Sequence, residues 1–298
     1  MENEKHHHHH EVSGKNLGIA ILLNVLITIA EAVGGFVSGS MALLSDATHN
    51  FSDVISLVVS YVANRLTKRQ ASENKTFGFK RSEIFAAFLN SATLIILAVF
   101  IIVEAVQRLF APTPISADWV IYLSLLSILV NGVSVLFIKE DAKENINMKS
   151  AYLHLFSDML TSIAVLAGGL AMKYLHLFWV DAVLSIAIAI YLLYLSWDIL
   201  RTSLKILMQF TPVGINVKQI VSELGKIDGV KNFHHVHVWQ LSEHEIMFEA
   251  HLDVKDDIKI SEFEVVLENV KEVLAKHGIN HITIQPEYSV SDSKQLIH

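Results

Sequence analysis

Residues 150–174 read SAYLHLFSDMLTSIAVLAGGLAMKY. As a helix this run is long enough to cross about 30 Å of hydrocarbon. Yet His154 and Asp158 lie in its first half. An ionisable side chain at the bilayer centre costs about 2.5–3.5 kcal/mol on insertion scales, so a span that keeps two of them has a use for them. Positions i and i+4 of a helix share a face one turn apart. The imidazole and the carboxylate therefore point the same way.

The same text recurs upstream. His49-Asn50-Phe51-Ser52-Asp53 and His154-Leu155-Phe156-Ser157-Asp158 both read His-x-Phe-Ser-Asp. Two such faces turned toward each other give two imidazoles and two carboxylates. That donor set suits a borderline divalent ion, Zn²⁺ first, while affinity order alone also admits Co²⁺, Ni²⁺ or Cu²⁺. The bland alternative is a pair of helix-packing hydrogen bonds. Two matching motifs in separate spans favour the metal. Asn24 precedes His49 much as Asn131 precedes His154, a hint of an internal repeat with its site at the repeat interface.

The rest of the chain fits a membrane setting. It has 298 residues, 52% of them hydrophobic and 18% charged, with a mean hydropathy of +0.44. An ordinary soluble domain is about 25% charged. Six spans are expected, at Asn16–Val37, Met41–Leu66, Ser82–Leu109, Trp119–Ile138, Ser150–Tyr174 and Asp181–Leu204. Arg65, Lys68, Arg69, Lys75, Lys80 and Arg81 follow the second, and Lys139, Lys143 and Lys149 follow the fourth. The opposite side has only Arg108 and Lys173. Basic short loops stay inside, which puts both termini in the cytosol; the expected location is a cell (inner) membrane, multi-pass. There is no cysteine, so no disulfide framework, thiolate site or cysteine nucleophile. A net charge of −7 is not that of a nucleic-acid binder.

The expected organisation is a His-rich cytoplasmic tail at 1–15, a six-helix membrane bundle at 16–211, an α+β domain at 212–288 and a tail at 289–298. The first segment holds His6–His10, either an expression tag or a metal-gathering tail, and does not read as a cleavable signal. From Pro212 onward there are 8 Lys/Arg against 14 Asp/Glu, so most of the negative charge is C-terminal. Within the spans, Glu31, Glu83, Asn90, Glu104 and Asp181 read as structural, paired with Arg or backbone near span ends. Asp46, one turn before His49, reads as a partner or entrance residue of the metal site.

The C-terminal part reads α-β-β-α-β. The helices are expected at Asn216–Ile227 and Ser261–His277, and the strands at Phe233–Leu241, Glu245–Val254 and His281–Gln285. Alternation puts Phe233, His235, His237 and Trp239 on one face of the first strand, and His234, Val236 and Val238 on the other. His234, His251 and Glu287 are candidate ligands on adjacent strands, ahead of Gln285 and His237. His235, His244, His277 and His281 read as ordinary strand, loop and helix-end residues.

The chain resembles the cation diffusion facilitator family of zinc transporters, in its bacterial CzcD/ZitB-like branch, from about Gly18 to Glu287. The matching text is Glu31-Ala-Val-Gly-Gly35, Ser40 through Asp53, Phe77-Gly-Phe-Lys-Arg81, Ala151 through Asp158, His237-Val-Trp-Gln-Leu241 and Thr283-Ile-Gln-Pro-Glu287. The resemblance implies a homodimeric divalent-cation/proton antiporter that exports cytosolic Zn²⁺, with protons as counter-ion. It implies a transport site of His49, Asp53, His154 and Asp158, with His at the first position tending toward zinc and Asp there also admitting Cd²⁺. It further implies a metallochaperone-like (ferredoxin-like) C-terminal domain that binds regulatory zinc at the dimer interface, through positions matching His234, His251 and Glu287. Some members bind zinc in the loop between spans two and three; here that loop has no His and Phe79 occupies one such place. Gln285 stands where some members have a ligand His.

The expected mechanism is alternating access, in which metal and protons compete for one site. Rival readings are Cd²⁺ or Co²⁺ as main substrate, and a non-transporting zinc sensor. An enzyme is not expected: no His-Glu-x-x-His or catalytic Ser is evident, and two Asp ligands leave little room for an open catalytic position.

Overall fold

The long apolar runs form helices because no backbone group can go unpaired in hydrocarbon. The computed structural model describes residues 10–67, 69–111, 113–139, 146–242, 245–291 and 293–297; of the expected tail at 1–15, residues 1–9 with most of the His run lie outside them, and 10–15 are already helical. Six long helices come first: α1 His10–Ser38, α2 Met41–Thr67, α3 Ser82–Phe110, α4 Ala117–Ile138, α5 Ile146–Leu175 and α6 Trp179–Leu207. Each overlays an expected span. Four are long and apolar enough to cross a membrane by length and composition: Ser82–Phe110, Ala117–Phe137, Tyr152–Leu175 and Trp179–Leu207. The described apolar part of α1, Leu22–Ser38, is shorter, and α2 carries Asp46, His49, Asn50 and Asp53. Large apolar side chains such as Ile96, Phe100, Leu129 and Tyr194 are exposed, as on a face that meets lipid.

By its contacts the chain divides into two units, Met1–Ser60 with Leu89–Ile199, and Tyr61–Phe88 with Leu200–His298. In the first, α4 packs on both α1 and α5. Glycines permit the approach, because small residues let helix backbones come close. A Cβ on Gly34 of α1 would lie 1.8 Å from Leu123 Cδ1 of α4, and one on Gly169 of α5 would lie 3.0 Å from Ile121 Cγ1 of α4. Leu43, Ala98, Ile101, Val120, Val165, Met172, Ala189 and Leu192 form the buried core.

The turn from α1 to α2 is fixed from several sides. Gly39 takes φ 72°, a left-handed conformation that glycine adopts freely. Arg108 donates to the Gly39 carbonyl, and the Ser116 amide donates to the Ser38 carbonyl at 2.9 Å. Asp181 accepts from the Ser40 hydroxyl at 2.5 Å, the Met41 amide at 2.8 Å and the Ala42 amide at 3.4 Å. It thereby satisfies the orphan amides that open α2. Glu104 pairs with Arg108 at 3.1 Å, and Asn90 donates to Ser52 at 3.3 Å. Glu31 differs from its expected Arg or backbone pairing at a span end: it is buried and accepts from the Asn50 amide at 2.9 Å.

In the second unit the C-terminal domain runs α7 Val217–Leu224, β1 Val230–Gln240, β2 Ile246–Val254, α8 Ile260–Lys276 and β3 His281–Glu287. β1 pairs antiparallel with β2, and β2 pairs parallel with β3. The parallel pair needs a crossover, which α8 supplies. This order is a ferredoxin-like sheet lacking its first strand, with the gap closed. Ile220 and Leu224 of α7, and Val270 and Leu274 of α8, pack into one core with Phe233, Val236, Val238, Phe248, Ala250 and Leu252.

Strict alternation along β1 is not observed. The pairing shifts between His234 and His237, and His235 takes φ 51°. This bulge inserts a residue and turns the strand, so Phe233 lies in the core with Val236 and Val238 rather than on the opposite face.

Candidate metal centres

The first centre lies within the helical unit. The α2 face carries His49 and Asp53, the α5 face His154 and Asp158, and one ligand atom from each lies within 4.8 Å of all the others. His49 Nε2 is 3.3 Å from Asp158 Oδ1, and His154 Nε2 is 3.4 Å from Asp53 Oδ2 and 3.5 Å from Asp158 Oδ2. His49 Nδ1 is 3.7 Å from Asp53 Oδ2. The two rings meet edge to face with centroids 6.0 Å apart.

Asp53 Oδ2 and both Asp158 oxygens are buried without a hydrogen-bond donor. Buried acceptors are normally satisfied, and a carboxylate taken from water needs a compensating charge. A cation among these donors would supply it. The donors are not equally enclosed: the Asp158 side chain is 0% exposed and His49 10%, while Asp53 is 30% and His154 39%. One edge of the cluster is open and the other closed.

Polar side chains back the closed edge. Asp46 is buried and accepts from Ser162 of α5 at 3.2 Å, and Ser162 lies 2.8 Å from Ser127 of α4. Asp46 is thus a buried neighbour of the cluster's closed edge. The Asn50–Glu31 bond ties the ligand helix to α1.

The second centre lies on the small sheet, on residues that alternate with its core side chains. His234 stands opposite His251, His251 beside Gln285, and Asp253 beside Glu287 in the strand register. His251 Nδ1 is 2.7 Å and His234 Nε2 3.3 Å from the Glu287 carboxylate. The imidazole centroids are 5.3 Å apart. His234, His251 and Glu287 bring one ligand atom each within 4.8 Å of the others. Two imidazoles and a carboxylate are a zinc-type donor set. The Glu287 carboxylate reaches both rings, so the residues fit such an ion.

Gln285 is not among these donors; its amide donates to Glu287 Oε1 at 3.1 Å and steadies the carboxylate. His237 lies beyond the bulge, its ring 5.0 Å from His235. His235 itself stacks on His251, centroids 4.9 Å apart. Two residues were missed by the sequence reading. Asp253 lies 3.7 Å from His234 Nδ1, and its place two residues after His251 on the same strand face was a usable signal. Lys294 reaches the cluster from the C-terminal tail, and no local pattern announced it.

The chain matches the family model of the cation efflux transmembrane domain over residues 17–208 and that of the cation efflux protein cytoplasmic domain over 212–289. It is 36% identical over 279 residues to a cadmium, cobalt and zinc/H(+)-K(+) antiporter of Bacillus subtilis, covering 92% of this chain and 90% of that one. It is 33% identical to the metal cation efflux system protein CzcD of Cupriavidus metallidurans, covering 92% and 86%. The zinc transporter ZitB of Pectobacterium atrosepticum is 34% identical, covering 96% and 89%.

Proposed function

Because the chain belongs to the cation diffusion facilitator family of cation efflux proteins, we propose that it exports cytosolic Zn²⁺ in exchange for protons, through the cluster of His49, Asp53, His154 and Asp158. Metal cation efflux and a multi-pass membrane location follow from the family; the substrate, the exchanged ion and the site are the proposal. The observation that carries it is the convergence of four donors, from two matching helix faces, within 4.8 Å.

Each donor can hold either a proton or part of a metal ion. Zinc takes neutral imidazole and ionised carboxylate, so metal binding releases protons and protonation releases metal. An unperturbed imidazole titrates near pH 6.5, about where such an exchange is useful. Open to the cytosol, the deprotonated site loads zinc. Open to the opposite, more acidic side, protons take its place. Asp158 and His49, on the closed edge, give the cargo its fixed contacts, and Asp53 and His154 form the mouth. We further propose six crossings with both termini cytoplasmic in the inner membrane. A homodimer would be joined through the C-terminal domain, and that domain's cluster of His234, His251 and Glu287 would hold a regulatory zinc ion.

The B. subtilis relative is named for cadmium, cobalt and zinc, and for K⁺ as well as H⁺, so the assay must rank ions on both sides. Purified protein in liposomes with an imposed pH gradient should accumulate Zn²⁺ ahead of Cd²⁺ and Co²⁺, with proton movement in the opposite sense. Metal bound but never moved under any gradient would favour a sensor instead.

A further inference from the structure

His234 and Glu287 face each other in the C-terminal cluster. His234 Nε2 and Glu287 Oε2 are 3.3 Å apart, and with the ring proton on Nδ1 neither atom can donate to the other. The Lys294 ammonium resolves the contact. Its Nζ lies 3.3 Å from His234 Nε2, 3.1 Å from Glu287 Oε2 and 3.0 Å from Asp253 Oδ1. An ammonium has three donors and no acceptor, so where Lys294 donates to it, His234 offers a lone pair at Nε2 and carries its proton on Nδ1, 3.7 Å from Asp253. That tautomer is the one zinc requires of Nε2. The ammonium thus sits on two of the three donors, His234 and Glu287, as a positive charge of the chain's own.

The segment bearing this lysine is held along the bulged part of β1. The His235 amide donates to the Gln295 carbonyl at 3.1 Å and the Val236 amide to the Leu296 carbonyl at 2.8 Å. Leu296 packs against the domain core. The bulge that turns Phe233 inward also leaves these two amides pointing to the tail and not to β2.

We propose that Lys294 is the resident cation of this cluster, and that a divalent ion binding His234, His251 and Glu287 expels it and frees residues 293–297 from β1. This rests on reading the cluster as a metal site, and adds that the tail competes for it. A metal ion and an ammonium cannot share the space between the same donors, because like charges that close repel strongly in a partly buried setting. Once the lysine leaves, Asp253 keeps a role: it can hold the His234 Nδ1 proton and orient the ring toward the ion, as carboxylates do behind metal-bound histidines. Metal occupancy is thereby converted into the release of a strand-like segment.

The test is peptide-resolved hydrogen exchange of the full-length protein in detergent, with zinc titrated in. Zinc should slow exchange around His251 and Glu287 and, over the same range, speed it severalfold at His235, Val236 and residues 293–297. Lys294→Met keeps the stem but not the charge. Its tail should exchange fast without metal, and its cytoplasmic cluster should fill at about tenfold less zinc, the factor for an ammonium that blocks the site nine-tenths of the time. Zinc that engages His251 and Glu287 while the tail stays protected overturns the proposal, as does an unchanged zinc requirement in Lys294→Met. Absence of any response at His251 and Glu287 overturns it together with the regulatory-metal reading. A lack of transport in vesicles alongside the full exchange response fails the helical-cluster reading alone, so the two failures are distinguishable.

Discussion

Asp181 accepts the Met41 amide at 2.8 Å, so the last long helix caps the first turn of α2 from 140 positions away. A capping carboxylate satisfies amides that would otherwise be buried without a partner, and here it also accepts from Ser40. His49 and Asp53 lie two to three turns along the helix this cap positions. Asp181→Ala should therefore cost about 1–2 kcal/mol of stability and weaken zinc binding at a cluster it does not touch. Thermal unfolding and zinc titration of the purified variant measure both. A variant with normal stability and normal affinity would show that the cap does not position α2.

Asp158 presents both oxygens to the two imidazoles and has no other side-chain partner among the described residues. Asp158→Ala removes the most enclosed donor, and Asp158→Asn keeps its shape while removing its charge. Both should lower zinc transport by at least about 100-fold, since even the groups that merely orient a ligand are worth 10- to 100-fold. Hydrogen exchange in the C-terminal domain should be unchanged. Normal transport by either variant in liposomes would sink the site assignment.

Exchange of one donor should shift the ion ranking. His49 contributes a nitrogen to a set otherwise made of one imidazole and two carboxylates. His49→Asp shortens the side chain, widens the cluster and adds a negative charge, which favours a larger ion over zinc. The expected outcome is Cd²⁺ transport approaching that of Zn²⁺ in competition assays. An unchanged ranking would mean that selectivity is set elsewhere.

The C-terminal domain has its own acid-sensitive link. His277 at the end of α8 lies 2.8 Å from Glu223 of α7, and Gln219 donates to the same carboxylate at 3.0 Å. The His277 contact first, and Gln219 second, hold the Glu223 carboxyl below the usual carboxylate range. A depressed folded value means stability that is present above the unfolded pKa of about 4.3 and lost as pH falls through the folded one. Near neutral pH, Glu223→Gln should loosen α7 relative to wild type, and the difference should vanish in acid. Exchange rates of α7 and α8 peptides across that range provide the check.

The helices and the helical cluster were legible because a bilayer imposes long apolar runs, and His49, Asp53, His154 and Asp158 interrupt those runs at helical spacing. The α-β-β-α-β order was legible too, from alternation and amphipathic period. The bulge at His235 was not, since a single inserted residue changes which face Phe233 takes without altering composition. Asp181 was read as a structural residue paired with Arg or backbone, but its work as the cap of α2 depends on a neighbour far along the chain. Lys294 was unreadable for the same reason: a tail residue meets β1 and β2 only after the domain has closed.

Synthesis runs from the N-terminus, so α2 reaches the bilayer long before α5 and α6. At that stage His49 and Asp53 have no facing imidazole or carboxylate, and the Met41 amide has no cap. A helix carrying Asp46, His49 and Asp53 alone in lipid is costly, at about 2.5–3.5 kcal/mol for an aspartate at the helix centre. Its insertion is therefore provisional until Asp158 and then Asp181 emerge from the ribosome. Nascent chains that end before residue 181 should slip back out of the membrane more readily than longer ones, so maturation of the cluster is a late, whole-chain event.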